Sequence, residues 1–485
     1  MKKINKILEN ISTDEMPDIN ISSISCDDRE IQKLCGFFAL EGASYNPLEK
    51  IEPIIKKQPA VIIWDKKNTQ SAVAKVICQK NKMPFIEIDN LSKNLSKIAS
   101  RFYDNPSSKL IVIGITGTDG KTSITNLLSK IIGEKQTGTI GTLGFSSDDG
   151  FISTGSTTPD AFLTQKILDK FIKQNKKYAI LEVTSHAIAQ HRTEAIAFNQ
   201  VLLSNLGSDH LDFHKTIDEY HTIKLNWLKK VGAGRQIYNY DDLKCKENWL
   251  QDIKKNPKLK AYSVIKLDGW DNVVSLDEDV IYKHDGIILK YANEKINIHL
   301  FGEFNASNIM AAVAICLALK IEFMDKLSKL IPIIGRMQMV CPNIFVDFAH
   351  TEQALKLAIL SLKQHFNQKI LLVFGCGGDR DKTKRAKMGQ VAEKFADFAI
   401  ITDDNPRYES PQDIVSQIKA KIKNMDNFKI IHNRTNAIKT AIDYVKKNNM
   451  ILLVAGKGAE SMQDYGTYQI EFNDITLIKR LCQLK

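Results

Sequence analysis

LIVIGITGTDGKTSITNLLSKII, residues Leu110–Ile132, is the stretch from which the rest of the chain can be read. Leu110 to Ile115 is a short β-branched run with the composition of a buried strand. Leu127, Leu128, Ile131 and Ile132 then recur at helical spacing. Between them stand Gly114, Gly117 and Gly120, followed by Lys121, Thr122 and Ser123. A glycine-rich turn from strand to helix lets backbone N–H groups approach a polyphosphate without Cβ clashes, and the helix N-terminus favours negative charge. Lys121 would reach the β/γ-phosphates and the Thr122 hydroxyl would ligate magnesium. Five residues separate Gly114 from Gly120, against four in the usual phosphate loop. A turn that binds nothing is the alternative, but Gly-Lys-Thr in this context favours a nucleoside triphosphate.

The 485-residue chain is too long for a single core, so two to four domains are expected. Its 43% hydrophobic and 25% charged residues are ordinary for a soluble globular protein. The net charge of +11 comes from scattered lysines. It fits solubility and an anionic substrate better than a nucleic-acid footprint. None of the eight cysteines forms a Cys-x-x-Cys pair, which argues against zinc or thioredoxin chemistry and for buried free thiols. The opening MKKINKILENISTDE lacks the apolar core of a signal peptide, and the apolar run Ile309–Leu319 is too short to span a bilayer. A cytoplasmic chain without membrane or nucleic-acid partners is expected.

Three blocks follow one another, at 1–104, 105–334 and 335–485. In the first, AVIIW (Ala60–Trp64) and PFIEI (Pro84–Ile88) read as strands, and Phe102–Ser108 has the Pro/Ser character of a linker. Asp28 and Arg29 could hold an anionic ligand or form a solvated turn; composition does not separate the two. In the second, Tyr178–Val183 ends in Glu182 and is followed by Thr184 and His186, while Val201–Asn205 is followed by Asp209 and His210. Acidic and imidazole groups at the carboxyl ends of parallel strands would face the phosphate loop, making Glu182 and His210 candidate magnesium ligands. Residues 218–228 read as a helix on which Lys224, by spacing, is an ordinary surface lysine. Asn305 and Asn308, one turn apart, could cap the apolar helix that follows or address a base; capping is the better unaided reading. In the third, Ile344–Asp347, Ile370–Phe374, Phe398–Thr402 and Met450–Val454 alternate with helical segments as in a doubly wound sheet. Polar residues after each strand, from His350 to Glu460, would converge on one crevice. The fold class is therefore α/β: a small N-terminal domain, a central phosphate-loop domain and a C-terminal Rossmann-like domain.

Together these motifs resemble the Mur ligases, most closely their MurE type, over almost the whole chain. The family's phosphate loop falls on Gly117, Thr118, Asp119, Gly120, Lys121 and Thr122, with Asp119 in place of asparagine. This match accounts for the long glycine spacing. An Asp-Ser-Arg motif for the UDP moiety falls on Asp27, Asp28 and Arg29, so the central serine is replaced. Thr157, Thr158 and Pro159 match the loop that holds the muramoyl-peptide, and Glu182 to His186 with Gln190 and Arg192 match the next segment, Thr184 keeping the hydroxyl. Asp209, His210, Asp212 and Lys224 complete the central match. In the family this lysine reacts with CO2 to give a carbamate, which would make Lys224 a magnesium ligand. Asn305, Asn308, Arg336, Asp347 and His350 fall on family positions near the nucleotide.

Asp404-Asn405-Pro406-Arg407 matches the motif associated with meso-diaminopimelate, with Arg385, Gly456 and Glu460 at the other contact positions. An arginine fork suits the second carboxylate of that amino acid, whereas the lone ammonium of L-lysine would be repelled. Glu460 could receive the distal ammonium. The family's Gly-Lys-Gly-His-Glu reads Gly456-Lys-Gly-Ala459-Glu460 here, so its histidine is absent. The resemblance implies an ATP- and magnesium-dependent amide ligase, expected to act as a monomer, with Lys121, Lys224, Glu182 and His210 as catalytic groups. Its substrates would be UDP-MurNAc-dipeptide and meso-diaminopimelate. An L-lysine-adding relative, a folylpolyglutamate synthase-like ligase and a nucleotide-driven switch are the rival readings.

Overall fold

The computed structural model describes every residue except 13–16, 43–44, 149, 211–212, 233, 268 and 484–485. Two compact units emerge from its internal contacts. One comprises Met1–Thr116, Gly133–Leu202 and His221–Gln236; the other comprises Gly117–Ile132, Leu203–Tyr220 and Ile237–Lys485.

In the first unit, strands Ser23–Ser25, Cys35–Ala39, Val61–Asp65 and Phe85–Ile88 form an all-parallel sheet in that order. Successive side chains of a strand face opposite sides, so both faces of this sheet can be apolar. Phe37, Ile62 and Trp64 pack with Ile51, Ile54, Ala74 and Cys78, while Phe38, Val61 and Ile63 pack with Leu91, Ile98 and Phe102. The expected linker at Phe102–Ser108 is ordered instead. Helix Leu91–Phe102 ends there and a 3₁₀ turn, Pro106–Lys109, follows. Pro106 and Ser107 are buried, and Ser107 Oγ accepts the Ala197 N–H at 3.1 Å. Serine and proline mark a break in regular structure, not an absence of packing.

The same unit holds strands Thr137–Gly141, Tyr178–Glu182 and Ile111–Thr116, paired in parallel with Tyr178–Glu182 in the centre. Glu182 pairs with Ile115, so its carboxylate stands level with the end of the strand that feeds the phosphate loop. Gly114, read above as the first glycine of that loop, lies inside the strand. A Cβ there would come within 2.8 Å of both Phe198 and Trp227. It serves packing, which is why the glycine count to Gly120 is one too many.

In the second unit, helix Lys121–Ile132 packs against helix Glu303–Leu319, whose residues Ile309–Cys316 are all buried. The C-terminal sheet runs in the order Gln338–Cys341, Ile344–Asp347, Ile451–Ala455, Ile370–Phe374, Phe398–Ile401 and Phe428–Ile430. All pairings are parallel except that of the first strand. Separate apolar clusters cover its two faces. The last strand inserted, Ile451–Ala455, lies between the first two parallel ones, and this reversal of winding opens a crevice at the strand ends.

All eight cysteines are free, but only five are buried; Cys26, Cys341 and Cys482 are half-buried. Among the described residues, no helix is long and apolar enough to cross a membrane.

Candidate active site

The phosphate loop owes its shape to residues outside the motif. Asn205 Oδ1 accepts the backbone N–H groups of Thr118 and Asp119 at 2.9 and 2.8 Å, and Ser204 Oγ donates to Asp119 O at 2.6 Å. The Thr118 and Tyr220 hydroxyls lie 3.1 Å apart. Gly117 (φ +146°) passes so close to Ser204 that a Cβ would stand 1.9 Å from Oγ. Lys121 Nζ donates to Gly117 O and Thr118 O at 2.9 and 2.8 Å, which folds the ammonium back over the loop. Thr122 and Ser123 are buried in the first turn of the helix.

A Cβ on Gly120 (φ +85°) would meet Asn308 Oδ1 at 2.7 Å. Asn308 Nδ2 donates to Asn305 Oδ1, and Asn305 Nδ2 donates to Phe301 O. Neither asparagine caps the helix, because both lie inside Glu303–Leu319, whose N-cap is Gly302 with no side-chain bond. The capping expectation is thereby corrected: the pair lies within the helix, with Asn308 Oδ1 close against Gly120.

Glu182 is buried and gripped at both oxygens. Thr142 donates its N–H to Oε1 and its hydroxyl to Oε2, each at 3.0 Å. The Thr142 and Thr157 hydroxyls are 3.2 Å apart. Thr158 Oγ1 donates to Glu182 O and accepts the Thr184 N–H. The Thr158 side chain is thus buried and engaged in internal bonds. Arg192 donates to Thr158 O and, through Nε and Nη2, to Gln190 Oε1. Burial pushes the Arg192 guanidinium down from its ordinary value. Gly141 makes room for Glu182, since a Cβ there would stand 2.0 Å from Oε1. Gly141→Ala is therefore expected to displace the carboxylate. Turnover should fall by about tenfold or more, with a stability loss of about 1–3 kcal/mol, read from steady-state kinetics and a thermal melt.

Lys224 departs furthest from its sequence reading. Spacing makes it a surface lysine, yet it is 1% exposed in helix Ile217–Lys230. One turn on, Trp227 packs edge-to-face on Phe198 at 5.2 Å. His210 adopts φ +55° and lies 3.4 Å from Asp209 Oδ2. Burial raises the Asp209 carboxyl, but His210, His350 and Lys121 outweigh it and hold the group below its usual range. Asp212 lies outside the described residues. Among the described residues no trio of His, Cys, Asp or Glu could hold a metal by itself. A hard oxygen donor such as the Thr122 hydroxyl suits magnesium, which binds few protein ligands and shares a nucleotide's phosphates.

Near the start of the third block, Arg336 lies over the Phe348 ring at 4.2 Å, and Asp347 accepts the N–H groups of Met337 and Ala349. In the N-terminal block, Asp28 and Arg29 line a cavity of about 850 Å³ with Tyr45, Lys50, Asp160 and Lys166. Arg29 is forked onto Asp27 at 2.7–3.1 Å. That hydrogen bond holds the Asp27 carboxyl below its usual value.

In the C-terminal crevice, Gly456 (φ +113°) faces Asp404, whose Oδ2 would lie 2.5 Å from a Cβ. Gly378 donates its N–H to Asn405 O, and its own carbonyl accepts Arg407 Nη1 at 2.6 Å. A Cβ on Gly378 would strike Pro406 O. Arg407 (φ +52°) has Nε 3.8 Å from Asp464 Oδ2. Glu460 Oε2 accepts from Asn405 Nδ2 at 2.9 Å.

Arg385 does not join them. It is 0% exposed, with Nη1 on Glu409 Oε2 and Gln417 Oε1, and Nη2 on Glu409 Oε1 and Gly377 O. Its expected contact with the amino acid is corrected: it is a buried structural ion. Arg380, five residues earlier, is exposed, with Cγ beside Gly377 and near Arg407. The sequence reading overlooked it.

Hydrogen bonding from Arg385 drives the Glu409 carboxyl from 4.5 down to about 2. A carboxyl depressed on folding contributes stability above its unfolded value and loses it as pH falls through the folded one. Glu409→Gln should therefore cost about 2 kcal/mol at neutral pH and progressively less from about 4.5 down to about 2. Thermal melts across that window would check this.

The profile of the Mur ligase middle domain matches residues 115–316, and that of the Mur ligase glutamate ligase domain matches residues 335–458. A UDP-N-acetylmuramoyl-L-alanyl-D-glutamate–2,6-diaminopimelate ligase from Fusobacterium nucleatum is 35% identical, across 98% of this chain and 96% of the relative. This chain belongs to the Mur ligase family. A solved structure bearing the same enzyme name is similar to this Mur ligase over 100% of the chain and 99% of its own, with a TM-score of 0.65 and 26% identity. The MurF ligase of Thermotoga maritima, solved in complex with ADP, covers 97% of this Mur ligase and 100% of its own chain. At a TM-score of 0.63 and 16% identity it shares the fold alone.

Proposed function

We propose that this Mur ligase uses ATP to join meso-2,6-diaminopimelate to the D-glutamyl carboxylate of UDP-N-acetylmuramoyl-L-alanyl-D-glutamate, a cytoplasmic step in making peptidoglycan precursors. The observation that carries it is the C-terminal crevice. Arg407, Asn405 and Glu460 gather at strand ends in a chain 35% identical to a diaminopimelate ligase along its length. Residues 1–104 are assigned to the UDP moiety, 105–334 to ATP and 335–485 to the amino acid, within a monomer.

A carboxylate resists attack by an amine because its oxygen is a poor leaving group. Phosphoryl transfer from ATP converts it into an acyl phosphate, and Lys121 disperses the charge that develops. Gly120 to Ser123 offer the helix N-terminus to the phosphates, with the Thr118 and Asp119 N–H groups held by Asn205 to shape the loop, while Asn305, Asn308, Arg336 and Asp347 address the rest of the nucleotide. Magnesium, when bound, supplies a hard cation for the same charge, and Thr122, Glu182, His210 and Lys224 are its assigned protein ligands. Lys224 would become an oxygen donor if its ammonium gave up a proton and the free amine added CO2, releasing a second proton to leave a carbamate. Asp28, Arg29, Thr157, Thr184, Gln190 and Arg192 hold the UDP-peptide, with Thr158 ordering that loop. Arg407 takes the distal carboxylate of diaminopimelate and Glu460 its ammonium, with Asp404, Pro406 and Gly456 shaping the crevice. The free amine attacks the acyl carbon, phosphate leaves with the C–O bonding pair, and the amide forms.

ATP hydrolysis measured with the UDP-dipeptide and diaminopimelate, singly and together, tests this. Phosphate release that needs both is expected. Release that ignores both would favour a nucleotide switch, and release driven by a folate-type substrate would favour the folylpolyglutamate synthase reading.

A further inference from the structure

Lys457 is fully buried, yet it follows Gly456 on the crevice-lining turn and carries a charge. Removing an ammonium from water is costly unless each N–H finds an acceptor. Here all three do: Nζ donates to Asn405 Oδ1 at 2.9 Å, Glu460 Oε2 at 2.9 Å and Met462 O at 2.8 Å. Asn405 Oδ1 also accepts the Asp464 N–H at 3.0 Å. Two donors on that oxygen set the amide's orientation, so Nδ2 is the atom that reaches Glu460 Oε2 at 2.9 Å. Oε2 is thus held twice, by Lys457 and by Asn405, while the Glu460 side chain remains 39% exposed. The carboxylate is pinned on one oxygen and offers the other.

We propose that Lys457 is a positioning residue that locks Asn405 and Glu460 into one arrangement, so that Glu460 Oε1 meets the substrate ammonium without rearrangement. This rests on the assignment of the crevice as the diamino-acid site. Rigid placement of an acceptor lowers the ordering cost of binding, so the effect belongs to the amino acid and not to the nucleotide. Lys457→Met keeps an unbranched side chain, one atom shorter, and removes all three donors, leaving Asn405 Oδ1, Glu460 Oε2 and Met462 O each short of one.

The test is steady-state kinetics of Lys457→Met, Lys457→Arg, Glu460→Gln and the double variant Lys457→Met/Glu460→Gln. For Lys457→Met, KM for meso-diaminopimelate should rise by about tenfold or more, with KM for ATP and for the UDP-dipeptide within about twofold of the parent. Lys457→Arg should recover part of the loss. If Lys457 acts through Glu460, the double variant should be no worse than Glu460→Gln by more than about twofold. Unchanged KM for diaminopimelate, equal losses for all three substrates, or full additivity in the double variant would overturn the role. So would failure of both Lys457 variants to fold, which would make the residue a structural ion. A parent enzyme that never uses diaminopimelate would overturn the crevice assignment and this role with it; an active parent with unaffected variants would overturn the positioning role alone.

Discussion

Lys224→Ala is expected to lower turnover by a factor on the order of 10²–10³ while leaving the dissociation constant for ATP within about threefold. The residue is 1% exposed in helix Ile217–Lys230, so its side chain acts inside the protein and not at the surface. Loss of a proton from the ε-ammonium, then addition of CO2 to the free amine with release of a second proton, would replace the positive charge with a negative oxygen pair, a donor matched to magnesium. The alanine variant removes that donor but leaves Gly117–Ser123 intact, so the phosphates still have their backbone cradle. The intact parent should carry the extra mass of one CO2, lost on acid treatment, and Lys224→Arg should fail to restore turnover because arginine forms no such carbamate. Equal losses in turnover and ATP binding would contradict the role.

Arg407→Leu is the second large effect. For meso-diaminopimelate, kcat/KM should fall by roughly 10²–10³, the cost of removing one partner from a desolvated charge pair of about 3–4 kcal/mol. For L-lysine the same variant should lose little or gain, because the guanidinium that opposes its terminal ammonium has gone. The fork is already oriented: Nη1 is fixed on Gly378 O at 2.6 Å and Nε lies 3.8 Å from Asp464. A ligand carboxylate therefore meets a guanidinium that needs no reordering. Parallel kinetics with the two amino acids would check the ratio, and an equal fall for both would show that Arg407 shapes the crevice without selecting its occupant.

Much of the architecture could be read from strand-ending chemistry. Glu182 and the Asp404–Arg407 loop both follow apolar runs that are strands in the structure. Asn205 and Ser204 escaped notice although the same rule applies to them, since they follow strand Gln200–Leu203 directly. Thr142 offered no comparable signal, because its grip on Glu182 joins residues 40 positions apart. Lys224 was misread because spacing along one helix says which residues share a face, not what covers that face. Arg385 and Arg380 stand in one polar run, and nothing local distinguishes them. The difference is Glu409, 24 residues on, which draws Arg385 inward. Gly114 misled for the opposite reason: a glycine beside a phosphate loop resembles part of it, whereas the bulk of Phe198 and Trp227 decides its identity.

The central claim is that the chain lengthens a UDP-linked peptide at the expense of ATP. The most direct test offers purified protein the UDP-dipeptide and ATP with meso-diaminopimelate in one vessel and L-lysine in another, and follows the product by mass. The expected result is a UDP-peptide heavier by one diaminopimelate residue, with one ADP and one phosphate formed per product, and little or none with lysine. ATP consumed with no lengthened UDP-peptide in either vessel would contradict the account.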